Sequence, residues 1–134
     1  MGACDFSIAA MGRNAKEAFG NAVDEARHEY GHRGYTGTIA EKACEGFRLI
    51  ENPTPRTSTD KVVGWIWDAV DGRANSVPAK YRSWARHHAR TCNDKWAPAL
   101  CIELLPTETA KWKTKTGRKG KRGKVFVFFG LASS

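Results

Sequence analysis

Apolar residues alternate or run together in four places along the chain, and each place predicts a β-strand. The first two stretches alternate with polar residues, which is the period-two pattern of a strand with one buried face. The last stretch, Val125–Phe129, is apolar at every position, which is typical of a central strand covered on both faces. The predicted strands lie around residues 4–8, 47–49, 99–105 and 124–130.

Apolar residues spaced three and four apart predict three helices between these strands. Asn14 is placed as the N-cap of the first helix with Glu17 three residues later, and Gly31 is placed as its C-cap. The second helix is expected to begin at Ser58 or Thr59 and to end before a glycine. The third helix is predicted over residues 76–92.

The order of these elements, β-α-β-α-α-β-β, predicts an α+β fold. We expect a four-stranded sheet with the helices packed on one face and a basic hairpin or arm protruding from it. The chain has 134 residues, 41% of them hydrophobic and 27% charged, which is typical of a globular domain that buries its own core. We therefore predict a single domain over residues 1–134.

The formal net charge of +8 is concentrated near the C-terminus. Residues 1–110 contain fourteen basic and fourteen acidic residues, and no acidic residue follows Glu108. From 107 to 124, lysine and threonine alternate around Trp112 before a glycine-rich tip, which predicts a protruding β-hairpin or arm. The cations of this segment are Lys111, Lys113, Lys115, Arg118, Lys119, Lys121, Arg122 and Lys124.

A segment of this charge attracts polyanions through Coulomb steering and counterion release. Trp112 among lysines is typical of a stacking residue in a single-strand or RNA-binding surface, although it fits a core anchor at the base of the arm equally well. Arg82, Arg86 and Arg90 form a second cationic row on the third helix. We therefore predict that these residues bind nucleic acid or a ribonucleoprotein; a solvated loop that is cationic for solubility is the alternative.

A glycine-rich stretch, Gly31–Thr38, is the second candidate site. Turns and helix caps are the ordinary use of glycine, and a phosphate-binding loop would precede a helix rather than follow one. Nucleotide binding is therefore the less favoured interpretation of this loop. Its polar contacts would be His32, Arg33, Tyr35, Thr36 and Thr38.

No known catalytic or metal-binding motif occurs in the sequence. His28 and His32 are four residues apart, but Gly31 is expected to end the helix between them. No third residue stands at a spacing typical of a metal ligand. His87 and His88 are adjacent and equally unsupported. We predict no metal and no cofactor, and we favour a binding protein over an enzyme. A small hydrolase or nuclease that uses His32 or His88 is the alternative.

The cysteines and the hydropathy of the chain suggest an intracellular protein. The four cysteines stand singly, without a close C-x-x-C pair, and three lie in apolar, strand-like stretches, so we expect buried free thiols. No apolar run has the length of a membrane span, and residues 1–12 lack the pattern of a signal peptide. We expect the protein to stay in the cytoplasm without a membrane partner; the oligomeric state stays open.

Three stretches resemble a group of small proteins of tailed bacteriophages, particularly those infecting actinobacteria. They are Glu29–Lys42, which contains GYTGTIAEK, Asp94–Ala99 and Val127–Ser133. The resemblance spans most of the chain but carries no established activity, and the basic arm is less typical of the group. It implies a phage origin and a role in the host cytoplasm. It also adds an alternative function, a host-takeover or anti-defence inhibitor that binds a host protein or sequesters a nucleotide signal at the glycine-rich loop.

Overall fold

In the computed structural model, which describes residues 2–31 and 36–134, four strands and four α-helices follow one another along the chain. Short 3-10 turns over Ile39–Lys42 and Ala74–Ser76 connect some of these elements. The elements are β1 (Ala3–Gly12), α1 (Ala15–Tyr30), β2 (Phe47–Ile50), α2 (Thr59–Val70), α3 (Ala79–Cys92), β3 (Ala99–Glu103), α4 (Pro106–Lys115) and β4 (Lys124–Ser133).

The strands form one mixed sheet in the order β1-β4-β3-β2. β1 pairs with β4 antiparallel and in unbroken register from Ala3–Ser133 to Gly12–Lys124. β4 pairs with β3 antiparallel, and β3 pairs with β2 parallel. The predicted α+β class, the four strands and the order of the predicted elements are confirmed, and β1 and β2 are the two edges of the sheet.

Helices cover both faces of the sheet, not one face as expected. Val125, Val127 and Phe129 of β4 pack with α2 and α3, while Phe126 and Phe128 pack with α1. The physical reason is that β4 is apolar at consecutive positions, and successive side chains of a strand point to opposite faces. The all-apolar run of β4 therefore predicted correctly that both faces of the strand are covered. The expectation that all helices pack on one face of the sheet was wrong.

The helix ends follow from local capping. The Asn14 side chain accepts a hydrogen bond from the Glu17 N–H at 2.9 Å, and Gly31 ends α1 with a positive φ of 83°. Ser58 caps α2 as predicted. α3 begins at Ala79, later than predicted, because residues 74–76 form a separate 3-10 turn. None of the helices in the described part of the chain is long and apolar enough to cross a bilayer.

The segment predicted as a β-hairpin begins instead with a helix, α4. Pro106 occupies its first turn, and the Glu108 carboxylate accepts a hydrogen bond from the Leu105 N–H at 3.0 Å. Lys113 and Lys115 lie in its last turn, where the helix dipole favours cations. The alternation of threonine and lysine has the period of a strand, but these interactions at the ends of the segment favour a helix. Glycines with positive φ follow at 117, 120 and 123.

Only two of the four cysteines are buried, although buried thiols were expected. Cys92 and Cys101 are buried, whereas Cys4 and Cys44 are exposed. Cys4 lies near the start of the edge strand β1, where the sheet ends and a side chain can reach solvent. All four are free thiols.

Candidate nucleic-acid interface

The basic segment, residues 111–124, is divided between a helix and a glycine-rich turn. α4 carries the first three lysines, residues 116–123 carry four cations, and Lys124 begins β4. Six of the eight cations are exposed, while Lys113 and Arg118 are half-buried. The predicted arm is therefore a short helix that leads into a cationic loop.

Glu108 fixes the helix of the basic segment to the rest of the fold. Its carboxylate accepts hydrogen bonds from the Thr59 hydroxyl at 2.6 Å, from the Thr59 N–H at 3.0 Å and from the Leu105 N–H at 3.0 Å. Burial raises the pKa of Glu108, but these hydrogen bonds and the nearby Lys111 charge outweigh burial, and the pKa is lowered overall. One carboxylate thus caps the first turns of both α2 and α4. A glutamate three residues after the N-cap is a local signal for a helix start, but nothing in the sequence points to Thr59.

Trp112 anchors the basic segment from the inside. Its side chain is half-buried and packs against the apolar core between the sheet and helices α2 and α3. The Arg118 guanidinium lies 5.1 Å from the centre of the Trp112 ring. The structure therefore supports the core-anchor interpretation of Trp112 and leaves less of its ring for stacking on a base.

The positive charge of the basic segment is almost uncompensated. Within residues 2–31 and 36–134, its one ion pair joins Lys124 to Glu103 at 3.9 Å, and that pair is solvent-exposed. Elsewhere Arg13 pairs with Glu17 at 2.8 Å, and Arg73 lies within 3.4 Å of two aspartates. The other seven cations of the basic segment form no ion pair with a described residue, and five of these seven are exposed to solvent.

The arginine row of α3 does not extend the basic segment as predicted. Arg82 donates hydrogen bonds to the carbonyls of Ala74, Asn75 and Val77 at 3.0, 3.3 and 3.1 Å, so its guanidinium closes the turn before α3. Arg86 and Arg90 are exposed.

The C-terminal end of α3 lies on the same face of the sheet as Trp112 but at the other end of β4. The Cys92 carbonyl lies beside Gly130, whereas Lys124 of the basic segment begins β4. The Arg48 guanidinium of β2 lies 3.5 Å from the Thr91 hydroxyl of α3, whereas Trp112 and Arg118 line a cavity with residues of β1. β1 and β2 are opposite edges, with two strands between them. Arg90, next to Thr91, therefore belongs to a separate surface.

Of the polar residues predicted for the glycine-rich loop, Thr36 and Thr38 belong to the described part of the chain, and His32, Arg33 and Tyr35 lie outside it. The Thr36 hydroxyl donates to the Glu41 carboxylate at 2.7 Å, and the Thr38 hydroxyl accepts from the Ala40 N–H at 3.3 Å. These two threonines use their polar atoms to form the turn.

The cavity beside Thr38 has an acidic lining. Among its lining residues are three carboxylates, Asp5, Glu25 and Glu29. Such a lining repels phosphate, so the described part of the loop does not favour a nucleotide.

Lys42 is a structural residue that sequence reasoning missed. It has no exposed surface, and its ammonium donates to the carbonyls of Ala97, Lys95 and Asp94 at 2.7, 2.9 and 3.4 Å. Burial lowers its pKa, and the charges of Glu45 and Asp94 oppose that shift. Lys42 therefore fixes the loop before β3, on which Trp96 is 57% exposed.

His88 is not arranged as a catalytic base. Its Nδ1 atom is buried and has no hydrogen-bond partner among the described residues. Burial lowers the pKa of His88, and the charges of His87 and Arg48 lower it further, so the ring is neutral at neutral pH. Within residues 2–31 and 36–134, no hydrogen bond pairs it with a nucleophile. Within the described ranges, no group of three His, Cys, Asp or Glu side chains could hold a metal ion.

Comparison with known proteins adds no further information: no family model, no curated protein and no solved structure matches the chain.

Proposed function

We propose that this protein binds a polyanion, nucleic acid or a ribonucleoprotein, through its basic segment. The observation that carries the proposal is the set of seven cations that form no ion pair with another described residue, on a helix and loop attached to the core by Glu108 and Trp112. A fixed array of cations loses less conformational freedom on binding than a flexible tail would. No catalytic group is needed for such a function.

The arrangement of the basic segment favours contacts with phosphates over sequence-specific contacts with bases. Trp112 is half-buried against the core, with Arg118 beside its ring. Lys111 and Lys115 are four residues apart on α4, so they lie on one face of the helix and both are exposed. Phosphate contacts position a protein on nucleic acid without carrying sequence information. We therefore expect binding with little sequence preference and strong dependence on salt.

The test is the salt dependence of binding to a fluorescein-labelled single-stranded RNA of about 20 nucleotides. The variant Lys119→Ala/Lys121→Ala/Arg122→Ala removes three cations of the loop. The matched control, Lys16→Ala/Arg56→Ala/Lys80→Ala, removes three exposed cations elsewhere. If each lost contact releases counterions, the slope of log K against log salt should become shallower by about 2 in the first variant and change little in the control.

An additional variant separates the two cationic surfaces. Arg86→Ala/Arg90→Ala should leave the slope close to that of the unchanged protein, because Arg90 belongs to a different surface. Equal slopes for the loop variant and the matched control would contradict the proposal, since binding would then reflect net charge alone. The resemblance to phage proteins would place such a polyanion in the host cytoplasm.

A further inference from the structure

The outer edge of β1 is long, and among the described residues it lacks the usual protection of an edge strand. Natural edge strands are usually short, or carry lysines, prolines or bulges that prevent pairing with another chain. The other edge, β2, is only four residues long and includes the exposed Arg48. β1 has ten residues without a lysine, arginine or proline, and its register with β4 is unbroken. No other strand lies beside β1 in the part of the chain that the structure describes.

Two contacts show which backbone groups of β1 face outward. Gly2 and Ser134 exchange N–H···O hydrogen bonds at 3.1 and 3.2 Å, so even-numbered residues of β1 face β4. The Asn21 side-chain amide donates to the Met11 carbonyl at 2.9 Å, which places an odd-numbered carbonyl on the outer side. The N–H and C=O groups of Asp5, Ser7 and Ala9 therefore point away from the sheet.

A groove runs along this edge. One cavity of about 270 Å³ adjoins Asp5–Ile8, and a second of about 340 Å³ adjoins Ile8–Met11. Ile8 and Glu25 line both cavities, so the two cavities are neighbours along the strand. α1 forms one wall, and Trp112 with Arg118 contributes to the other wall at the Met11 end.

The wall formed by α1 is acidic and partly aromatic. Glu25 and Glu29 line the groove, and neither has an ion pair within residues 2–31 and 36–134. Tyr30 lines the same cavity and is 51% exposed. Carboxylates beside an exposed aromatic ring suit the alkyl stem and the cation of a lysine or arginine.

We propose that the edge of β1 binds an extended, basic peptide segment of a partner protein by strand addition. The peptide backbone pairs with Asp5, Ser7 and Ala9, and alternate basic side chains lie along the α1 wall towards Glu25 and Glu29. A second copy of the chain fits less well. Glu25 lies where the two cavities meet, so antiparallel pairing of two β1 strands about this point would bring two Glu25 carboxylates together.

The experiment uses an N-acetylated, C-amidated peptide as long as β1, with alternating lysine and threonine. In ¹⁵N-labelled protein, this peptide should slow hydrogen exchange at the amides of Asp5, Ser7 and Ala9. Exchange at Phe6 and Ile8 should change little, because those amides already face β4. Two control peptides complete the design, one with glutamate in place of lysine and one with alternate N-methylated residues, and neither should bind.

Variants of the groove test the same proposal. Glu25→Gln/Glu29→Gln removes two exposed carboxylates and should weaken binding about tenfold. Ser7→Pro removes an outward N–H at a position where an edge strand tolerates proline, and Ser7→Thr is its control. If Ser7→Pro does not fold, the glutamine variant and the N-methylated peptide still decide the question.

Several results would overturn the proposal. These are unchanged exchange at Ser7 and Ala9 under millimolar peptide, equal binding of the glutamate peptide, and a dimer in which these amides are protected without peptide. The loop variant of the basic segment should bind the peptide normally, which distinguishes this site from the polyanion site.

Discussion

Replacing Glu108 should weaken the attachment of the basic segment to the rest of the fold. Glu108→Ala removes three hydrogen bonds and leaves the hydroxyl and N–H of Thr59, a residue with no exposed surface, without their acceptor. A hydrogen bond to a charged group contributes ~1.5–3 kcal/mol, but water can reach the Leu105 N–H once α4 frays. We therefore expect a loss of ~3 kcal/mol in the free energy of unfolding. Glu108→Gln keeps one acceptor oxygen and should lose about half as much.

The pH dependence provides a second, independent readout of Glu108. Its pKa in the folded protein is below the usual glutamate value of 4.5, so its stabilising contribution is fully present above that value and is lost as the pH falls through the folded pKa. Glu108→Gln should remove this part of the acid sensitivity. Urea denaturation followed by tryptophan fluorescence, repeated from neutral pH to pH 3, measures both effects.

The exposed Glu51 supplies the control for this prediction. Glu51→Gln should change neither the stability at neutral pH nor the acid sensitivity appreciably. If Glu108→Ala loses less than ~1 kcal/mol at neutral pH, the carboxylate does not hold α4 against α2, and the account of a fixed basic segment is wrong.

Three further predictions concern the rest of the fold. Lys42→Met should destabilise the protein by ~2 kcal/mol and change the Trp96 fluorescence, because three carbonyls lose their donor; unchanged stability would contradict the role of Lys42. Burial raises the pKa of the Cys92 and Cys101 thiols to about 12, so a thiol reagent should label two cysteines in the folded protein and four in denaturant; rapid labelling of a third would contradict this. Gly37→Val should lower the free energy of unfolding by ~1 kcal/mol or more, since Gly37 has a φ of 71° and an added Cβ would lie 3.1 Å from the Cys4 Cβ. An unchanged melting temperature would contradict this prediction.

The sequence predicted the elements whose signals are local and strong. Asn14 and Gly31 marked the ends of α1, and the apolar run of β4 marked a central strand. These signals are reliable because a capping residue and an alternating pattern determine the structure of residues only a few positions away. α4 was mistaken for a hairpin because period-two alternation outweighed a proline and a glutamate at its start.

The candidate site was only partly predictable for a different reason. The cluster of charge in the basic segment is visible in the sequence, because all eight cations lie within residues 111–124. The contacts that position it join residues far apart, such as Glu108 and Thr59. Likewise, the sequence pattern indicates that Arg82 is a free cation, whereas in the fold its guanidinium donates hydrogen bonds to three carbonyls. Such long-range contacts depend on topology, which a single sequence specifies only indirectly.

The most direct test of polyanion binding is chemical-shift mapping of the ¹⁵N-labelled protein with single-stranded RNA at low salt. Shift changes should concentrate in residues 111–122 and fade as salt is added. Arg90 and the groove residue Glu29 should be little affected. Shift changes centred on α3 or on the β1 groove, with residues 111–122 unaffected, would contradict the claim that the basic segment is the binding site.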